Sequence, residues 1–250
     1  MKRRALFIDR DGTLTYPFHY PSRPEQLRLY EGIGPGLRAL QEMGFLIVVI
    51  TNQAGIARGY FTHTELLTLH RHLAQEMAQL GVRIAAIYHC PHHPDGNVAE
   101  FAISCACRKP QPGMLLQAAQ DLAIDLSRSW FVGDILDDVE AGNRAGCRTL
   151  LVDLGTEHAP TQPLRQPSFV ARDTRHALEI IKLVEQNAVV VDLLYQPSMW
   201  LVPPIPPATQ MQSSASAWYP PKSNQPVQLT HSLSTEVQAA QEEDSYAEGS

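Results

Sequence analysis

Apolar residues fall in short runs and helical stripes that alternate along the first three quarters of the chain. Residues 4–8 (RALFI) and 45–50 (FLIVVI) are apolar runs of strand length, each followed by polar residues. Between them Leu37, Leu40 and Met43 recur at helical spacing over 34–43, and Gly44 ends the stripe. The segment 62–81 opens with Thr62 and Glu65 in capping-box spacing and closes at Gly81, which predicts a long helix. Strands are expected over 82–89, 129–133 and 148–153, and helices over 112–123 and 137–145. SFVAR (168–172) adds one more strand, and 174–186 a closing helix, amphipathic through Ala177, Ile180, Ile181 and Val184. Strands alternating with amphipathic helices predict an α/β fold, a Rossmann-like parallel sheet sandwiched by helices. The spacing of its elements leaves no room for a large inserted cap.

Beyond the closing helix the composition changes. Eight of the nineteen prolines lie from residue 195 onward, mixed with Gln, Ser and Thr, and five acids accompany a single base, Lys222. A folded domain is therefore expected over 1–187 and a Pro/Gln/Ser-rich, acidic, disordered tail over 188–250. The stretch 189–207 (VVVDLLYQPSMWLVPPIPP) is too apolar for a pure linker, and is expected to dock on the body or on a protein partner.

The net charge of −6 resides largely in that tail, leaving a near-neutral body with no basic stripe. That argues against nucleic acid, whose backbone needs clustered Lys and Arg, but allows small phosphorylated ligands. No apolar run nears the roughly 18 residues of a membrane span, and the basic start MKRR leads into only four apolar residues before Asp9. The expectation is a cytoplasmic protein without membrane attachment. Cys90, Cys105 and Cys107 are close in sequence, which in such a compartment favours metal over disulfides, whereas the isolated Cys147 reads as a small core residue.

In a parallel sheet ligands bind where strands end, and four predicted strand ends carry polar groups. The first has Asp9, Asp11 and Thr13, the second Thr51 and Asn52. The region after the third supplies Arg108 and Lys109, and the fourth ends in Gly133 and Asp134. Singly each has an ordinary reading: a turn, a helix cap or a solvated charge. Together, "DRDGT", "TNQ", "RKPQPG" and "GD" in this order resemble the four motifs of the haloacid dehalogenase superfamily of phosphatases. Within it, "TNQAGIARG", "CPHHPDG" and "CACRKPQPGMLLQA" resemble the D-glycero-D-manno-heptose 1,7-bisphosphate phosphatases, close relatives of histidinol-phosphate phosphatase. The resemblance covers about residues 5–185.

The resemblance implies that Asp9 attacks phosphorus to form an aspartyl-phosphate, and that Asp11 protonates the leaving oxygen and then activates water. It implies Mg²⁺ held by Asp9, the main-chain carbonyl of Asp11, and Asp134. Lys109 would neutralise phosphoryl oxygens, with Thr51 and the Asn52 amide hydrogen-bonding them. Arg58 and Arg108 match positions suited to gripping a second phosphate. At Cys90-x-His92, twelve residues, then Cys105-x-Cys107, the resembling enzymes carry a structural Zn²⁺, and the 90–107 loop would present Arg108 and Lys109. The group usually has a basic residue after the fourth-motif aspartate, where this chain has Ile135. The expected substrate is heptose 1,7-bisphosphate, hydrolysed at C7 on the route to nucleotide-activated heptose, by an enzyme that is a monomer as its relatives often are. The alternatives are histidinol phosphate or another small sugar phosphate, and, in a different class, a non-catalytic zinc-stabilised binding module.

Overall fold

A computed structural model describes residues 2–186; the expected tail, 188–250, lies outside the described residues. Six strands form one wholly parallel sheet: β1 (Arg4–Ile8), β2 (Phe45–Asn52), β3 (Ile84–Cys90), β4 (Trp130–Gly133), β5 (Arg148–Val152) and β6 (Phe169–Ala171). Their spatial order is β3-β2-β1-β4-β5-β6. The chain thus winds outward from β1 in one direction and then restarts at β4 in the other. The crevice between β1 and β4 is the point where such sheets take their ligands.

Five helices connect and cover the strands: α1 (Ile33–Glu42), α2 (His63–Gln79), α3 (Gly113–Asp121), α4 (Leu136–Ala145) and α5 (Thr174–Gln186). The strands are buried on both faces, and the pleat divides their side chains between two cores. Leu6, Ile8, Ile47, Val49 and Val132 face one way, against Leu37 and Leu40 of α1, Leu73 and Met77 of α2, and Leu178 and Ile181 of α5. Ala5, Phe7, Val48, Ile50 and Phe131 face the other, against Met114, Leu115 and Ala118 of α3 and Ala141 of α4. Cys147 belongs to this second core, as its sequence context implies.

The expected elements are all present, with shifted ends. β2 runs on through Thr51 and Asn52, and β3 begins at Ile84 and ends at Cys90, so three site candidates are strand residues. The capping box of α2 forms: Glu65 N–H donates to Thr62 Oγ1 (3.2 Å) and Thr62 N–H to Glu65 Oε2 (2.7 Å). Three short 3₁₀ turns, at 24–26, 126–128 and 163–165, have no signature in the hydrophobic pattern. Among the described residues no helix is long and apolar enough to cross a membrane.

At the sheet's opposite end, Glu185 of α5 pairs with Arg4 (2.7 Å) and Arg148 and accepts from the fully buried Trp130 Nε1 (2.9 Å). This pins the last helix under the sheet.

Candidate active site

β1 delivers Asp9 into the crevice with its backbone N–H donating to Val132 O (2.9 Å), so the first aspartate is registered directly against β4. Its side chain is 9% exposed. Lys109 Nζ, itself 2% exposed, donates to Asp9 Oδ1 (2.6 Å) and Ile50 O (3.2 Å) and pairs with Asp138 Oδ1 (2.5 Å). Asp134, directly after β4, accepts from Thr13 Oγ1 (2.9 Å). Oxygens of Asp9, Asp134 and Asp138 all lie within 4.8 Å of one another.

Two glycines make this density possible. Gly12 has φ +85°, and a Cβ there would come within 2.3 Å of Asp134 Oδ2. A Cβ on Gly133 would stand 2.3 Å from Asp138 Cβ.

Three carboxylates facing one ammonium leave negative charge uncompensated. Burial pushes the Asp9 carboxyl well above the usual carboxylate range, against the pull of Lys109, with Asp138, Asp134 and Asp11 adding to the rise. Burial, then Asp138, brings Asp134 up to about 7. Burial works against the charged form of Lys109, but Asp138 and Asp9 together hold its ammonium above the ordinary lysine range. Hard oxygens with excess negative charge in a half-closed crevice are the donor set that Mg²⁺ prefers.

The second-strand residues hold the lysine in place. Lys109 N–H donates to Asn52 Oδ1 (3.1 Å) and Asn52 Nδ2 to Lys109 O (3.2 Å), a two-way clasp between β2 and the loop before α3. Thr51 Oγ1 accepts from Gln53 Nε2 (2.8 Å), which also donates to Asp11 Oδ2 (3.1 Å). Asp11 is paired with its neighbour Arg10 (2.8 Å).

The cysteine loop closes on itself beside these groups. Sγ atoms of Cys90, Cys105 and Cys107 are 3.2 to 3.5 Å apart, and His92 Nδ1 lies 3.3 Å from Cys107 and 3.6 Å from Cys90. These separations far exceed the roughly 2.05 Å of a disulfide. They approach the roughly 3.5–3.8 Å between ligand atoms of a tetrahedral Zn²⁺ with Zn–S near 2.3 Å. His93 points elsewhere: its Nε2 meets Arg58 Nη2 (3.4 Å), while Arg108 Nη1 donates to His92 O (3.3 Å). Burial, then Arg108 and Arg58, lowers the His93 imidazole, so the loop gathers both arginines around one histidine.

The structure thus brings Asp9, Asp134 and Lys109 together, with Asn52 bonded to Lys109, Thr51 and Asp11 joined through Gln53, and Arg58 and Arg108 reaching the cysteine loop at His93 and His92. Sequence reasoning missed Asp138; its signal is the spacing of four from Asp134 in "GDILDD". Asp138 caps α4, accepting from Ile135 N–H with Oδ2 (3.3 Å), while Oδ1 faces Lys109. Ile135, half-buried, is the N-cap residue of that helix.

Comparison with known proteins agrees with this geometry. A family described as HAD-hyrolase-like matches residues 106–177. The D-glycero-beta-D-manno-heptose-1,7-bisphosphate 7-phosphatase of Yersinia pestis is 46% identical over 145 residues, 58% of this chain and 77% of that protein. The enzyme of the same name from Escherichia coli K12 is 43% identical over 157 residues, 62% of this chain and 82% of that one. The crystal structure of the D,D-heptose 1.7-bisphosphate phosphatase of B. bronchiseptica, complexed with magnesium and phosphate, superposes with a TM-score of 0.61 at 30% identity, covering 74% of this chain and 99% of that one. With a parallel sheet open between β1 and β4, paired aspartates at its first strand end and relatives matched over most of their own length, the chain belongs to the heptose-1,7-bisphosphate 7-phosphatase family of HAD-like phosphatases.

Proposed function

We propose that this protein removes the C7 phosphate of D-glycero-D-manno-heptose 1,7-bisphosphate through an aspartyl-phosphate on Asp9. The observation that carries the reading is the buried cluster in which Asp9, Asp134 and Asp138 surround Lys109. A binding module has no use for so costly an arrangement, because buried carboxylates destabilise a fold unless charge or a ligand offsets them.

In this reading Lys109 occupies Asp9 Oδ1, which leaves Oδ2 to attack phosphorus. As that bond forms, the bond from phosphorus to the C7 oxygen breaks and its electron pair stays on that oxygen, which takes a proton from Asp11. Water then gives its proton to Asp11 and attacks the aspartyl-phosphate, releasing phosphate and restoring Asp9. Thr51 and the Asn52 amide face the phosphoryl oxygens, and Arg58 and Arg108 grip the phosphate at C1, where forked guanidinium donors suit a dianion. Asp9, the carbonyl of Asp11 and Asp134 would hold Mg²⁺, which when bound offsets charge on the phosphoryl group.

The Cys90, His92, Cys105 and Cys107 cluster is read as a closed, structural Zn²⁺ site. All four donors are taken by the metal, so its contribution is mechanical: it fixes the loop that carries Arg108 and Lys109.

The test is phosphate release with Mg²⁺ from both anomers of heptose 1,7-bisphosphate and from histidinol phosphate, with Asp9→Asn as the blank. Fast release from the heptose substrate that the blank abolishes is the expected result. Turnover of histidinol phosphate alone overturns the substrate, and no release from any of them overturns the reaction.

A further inference from the structure

The side chain between the two aspartates, Arg10, is fully buried although it leaves the strand at the mouth of the crevice. Its guanidinium forks onto Asp11 unevenly. Oδ2 receives Arg10 Nη2 (2.8 Å), Arg10 Nε (3.1 Å) and Gln53 Nε2 (3.1 Å), whereas Oδ1 receives only a longer contact from Nε (3.2 Å). The remaining nitrogen, Nη1, meets Nε2 of His70 on α2 at 3.2 Å. A guanidinium has no acceptor, so His70 must accept at Nε2 and carry its own proton on Nδ1. Burial, then Arg10, His89 and His63, brings the His70 imidazole down to about 3, so it stays a neutral acceptor.

The surroundings hold the ring in that state. His89 of β3 packs edge-on to His70 (centroids 5.4 Å apart), and His63 Nε2 meets His89 Nε2 at 2.9 Å. From α2 and β3, then, only neutral or cationic groups face Arg10, and Asp11 is the carboxylate bonded to it.

We infer that Arg10 and His70 are positioning residues for Asp11: by loading Oδ2 with donors and locking the guanidinium, they leave Oδ1 as the oxygen that delivers the proton. An O–H on Oδ2 would point into three N–H groups, whereas one on Oδ1 would not. Asp11 is 27% exposed at its side chain, so this oxygen can reach a substrate. Lysine could supply the charge but not the fork. The inference rests on the reading of Asp11 as the acid in the first step.

The test compares kcat/KM, which covers steps up to departure of the alcohol, for p-nitrophenyl phosphate and for an alkyl phosphate monoester. The p-nitrophenolate leaves without a proton and the alkoxide does not, so loss of a well-placed acid is selective for the alkyl ester. A general acid is worth about 10² to 10⁴ in rate. His70→Leu and Arg10→Lys are expected to lose about tenfold or more with the alkyl ester and less than about threefold with the aryl ester, with His70→Gln, which keeps an acceptor, restoring most of the loss. Equal losses on both esters, or no rescue by glutamine in a variant that melts cooperatively, overturn the positioning role. Asp11→Asn runs alongside: if its own loss is not selective for the alkyl ester, it is the acid assignment that fails.

Discussion

Asp138→Asn separates two effects that usually travel together. Asp138 lies 2.5 Å from Lys109 Nζ, and at an effective dielectric constant of about 20 that attraction is roughly 7 kcal/mol. It also lies within 4.8 Å of Asp9 and Asp134, and at the same dielectric each repulsion is roughly 3 to 4 kcal/mol. With Asp9 ionised in its pair with Lys109 and Asp134 close to half-protonated at neutral pH, the repulsions sum to about 5 kcal/mol, so attraction and repulsion nearly cancel. The amide should therefore change the stability of Mg²⁺-free protein by less than about 2 kcal/mol, although breaking a buried pair ordinarily costs about 3 to 5 kcal/mol. Mg²⁺ already offsets the repulsion, so in its presence the full cost should return. Urea unfolding at pH 7.5, without chelator and with or without millimolar Mg²⁺, reads the difference directly. Activity with Mg²⁺ should fall about 10- to 100-fold, because Lys109 loses one of its two carboxylate partners. Equal stability losses in the two buffers would show that Asp138 does not feel the other carboxylates, and the electrostatic account of the cluster would fail.

Three other outcomes are expected. Glu185→Ala leaves Trp130 Nε1 buried without an acceptor and removes two ion pairs to half-exposed arginines, costing about 3 kcal/mol in urea melts with kcat unchanged, while Glu185→Gln costs less than half of that. His70 has a folded-state value of about 3 against 6.5 unfolded, so its contribution is fully present above pH 6.5 and lost as pH falls toward 3. Between pH 7 and 5 wild type should lose about 2 kcal/mol through this group, and His70→Gln should flatten the curve by that amount. Purified protein should release one Zn²⁺ per chain to a colorimetric chelator, with hydrogen exchange rising over residues 91–109, and Cys105→Ser should contain none; metal-free wild type with unchanged exchange would remove the zinc reading.

The fold was legible because a parallel sheet buries its strands on both faces. Continuous runs such as FLIVVI have no other use at that length between two amphipathic helices. The glycine stop at Gly44 and the Thr62–Glu65 box are local chemistry, and both elements begin or end within a residue or two of expectation. The 3₁₀ turns and the last residues of β2 were not legible. They depend on partners far along the chain: Asn52 continues β2 by pairing with Cys90 across to β3 and holding the backbone of Lys109, 57 positions away.

The site shows the same division more sharply. Residues that must meet phosphate are legible jointly, as polar types at four strand ends in one order, although each alone could be a turn, a cap or a solvated charge. Residues that act on those residues carry no such mark. Asp138 sits on a helix where an acid in the first turn is ordinary, and only the position of Lys109, brought across from another crossover, gives it a second task. Arg10 carries no signal of its own between two aspartates, yet it is the most deeply buried charge at the crevice, held by an imidazole sixty positions later. Its burial requires Asp11 to face it, and Gln53 then fixes which oxygen is left open. The two-residue spacing of the aspartates therefore places two carboxylates at one strand end, but the division of labour between them follows from what packs behind each: a lysine shared with a third carboxylate behind Asp9, and an arginine locked by a neutral histidine behind Asp11.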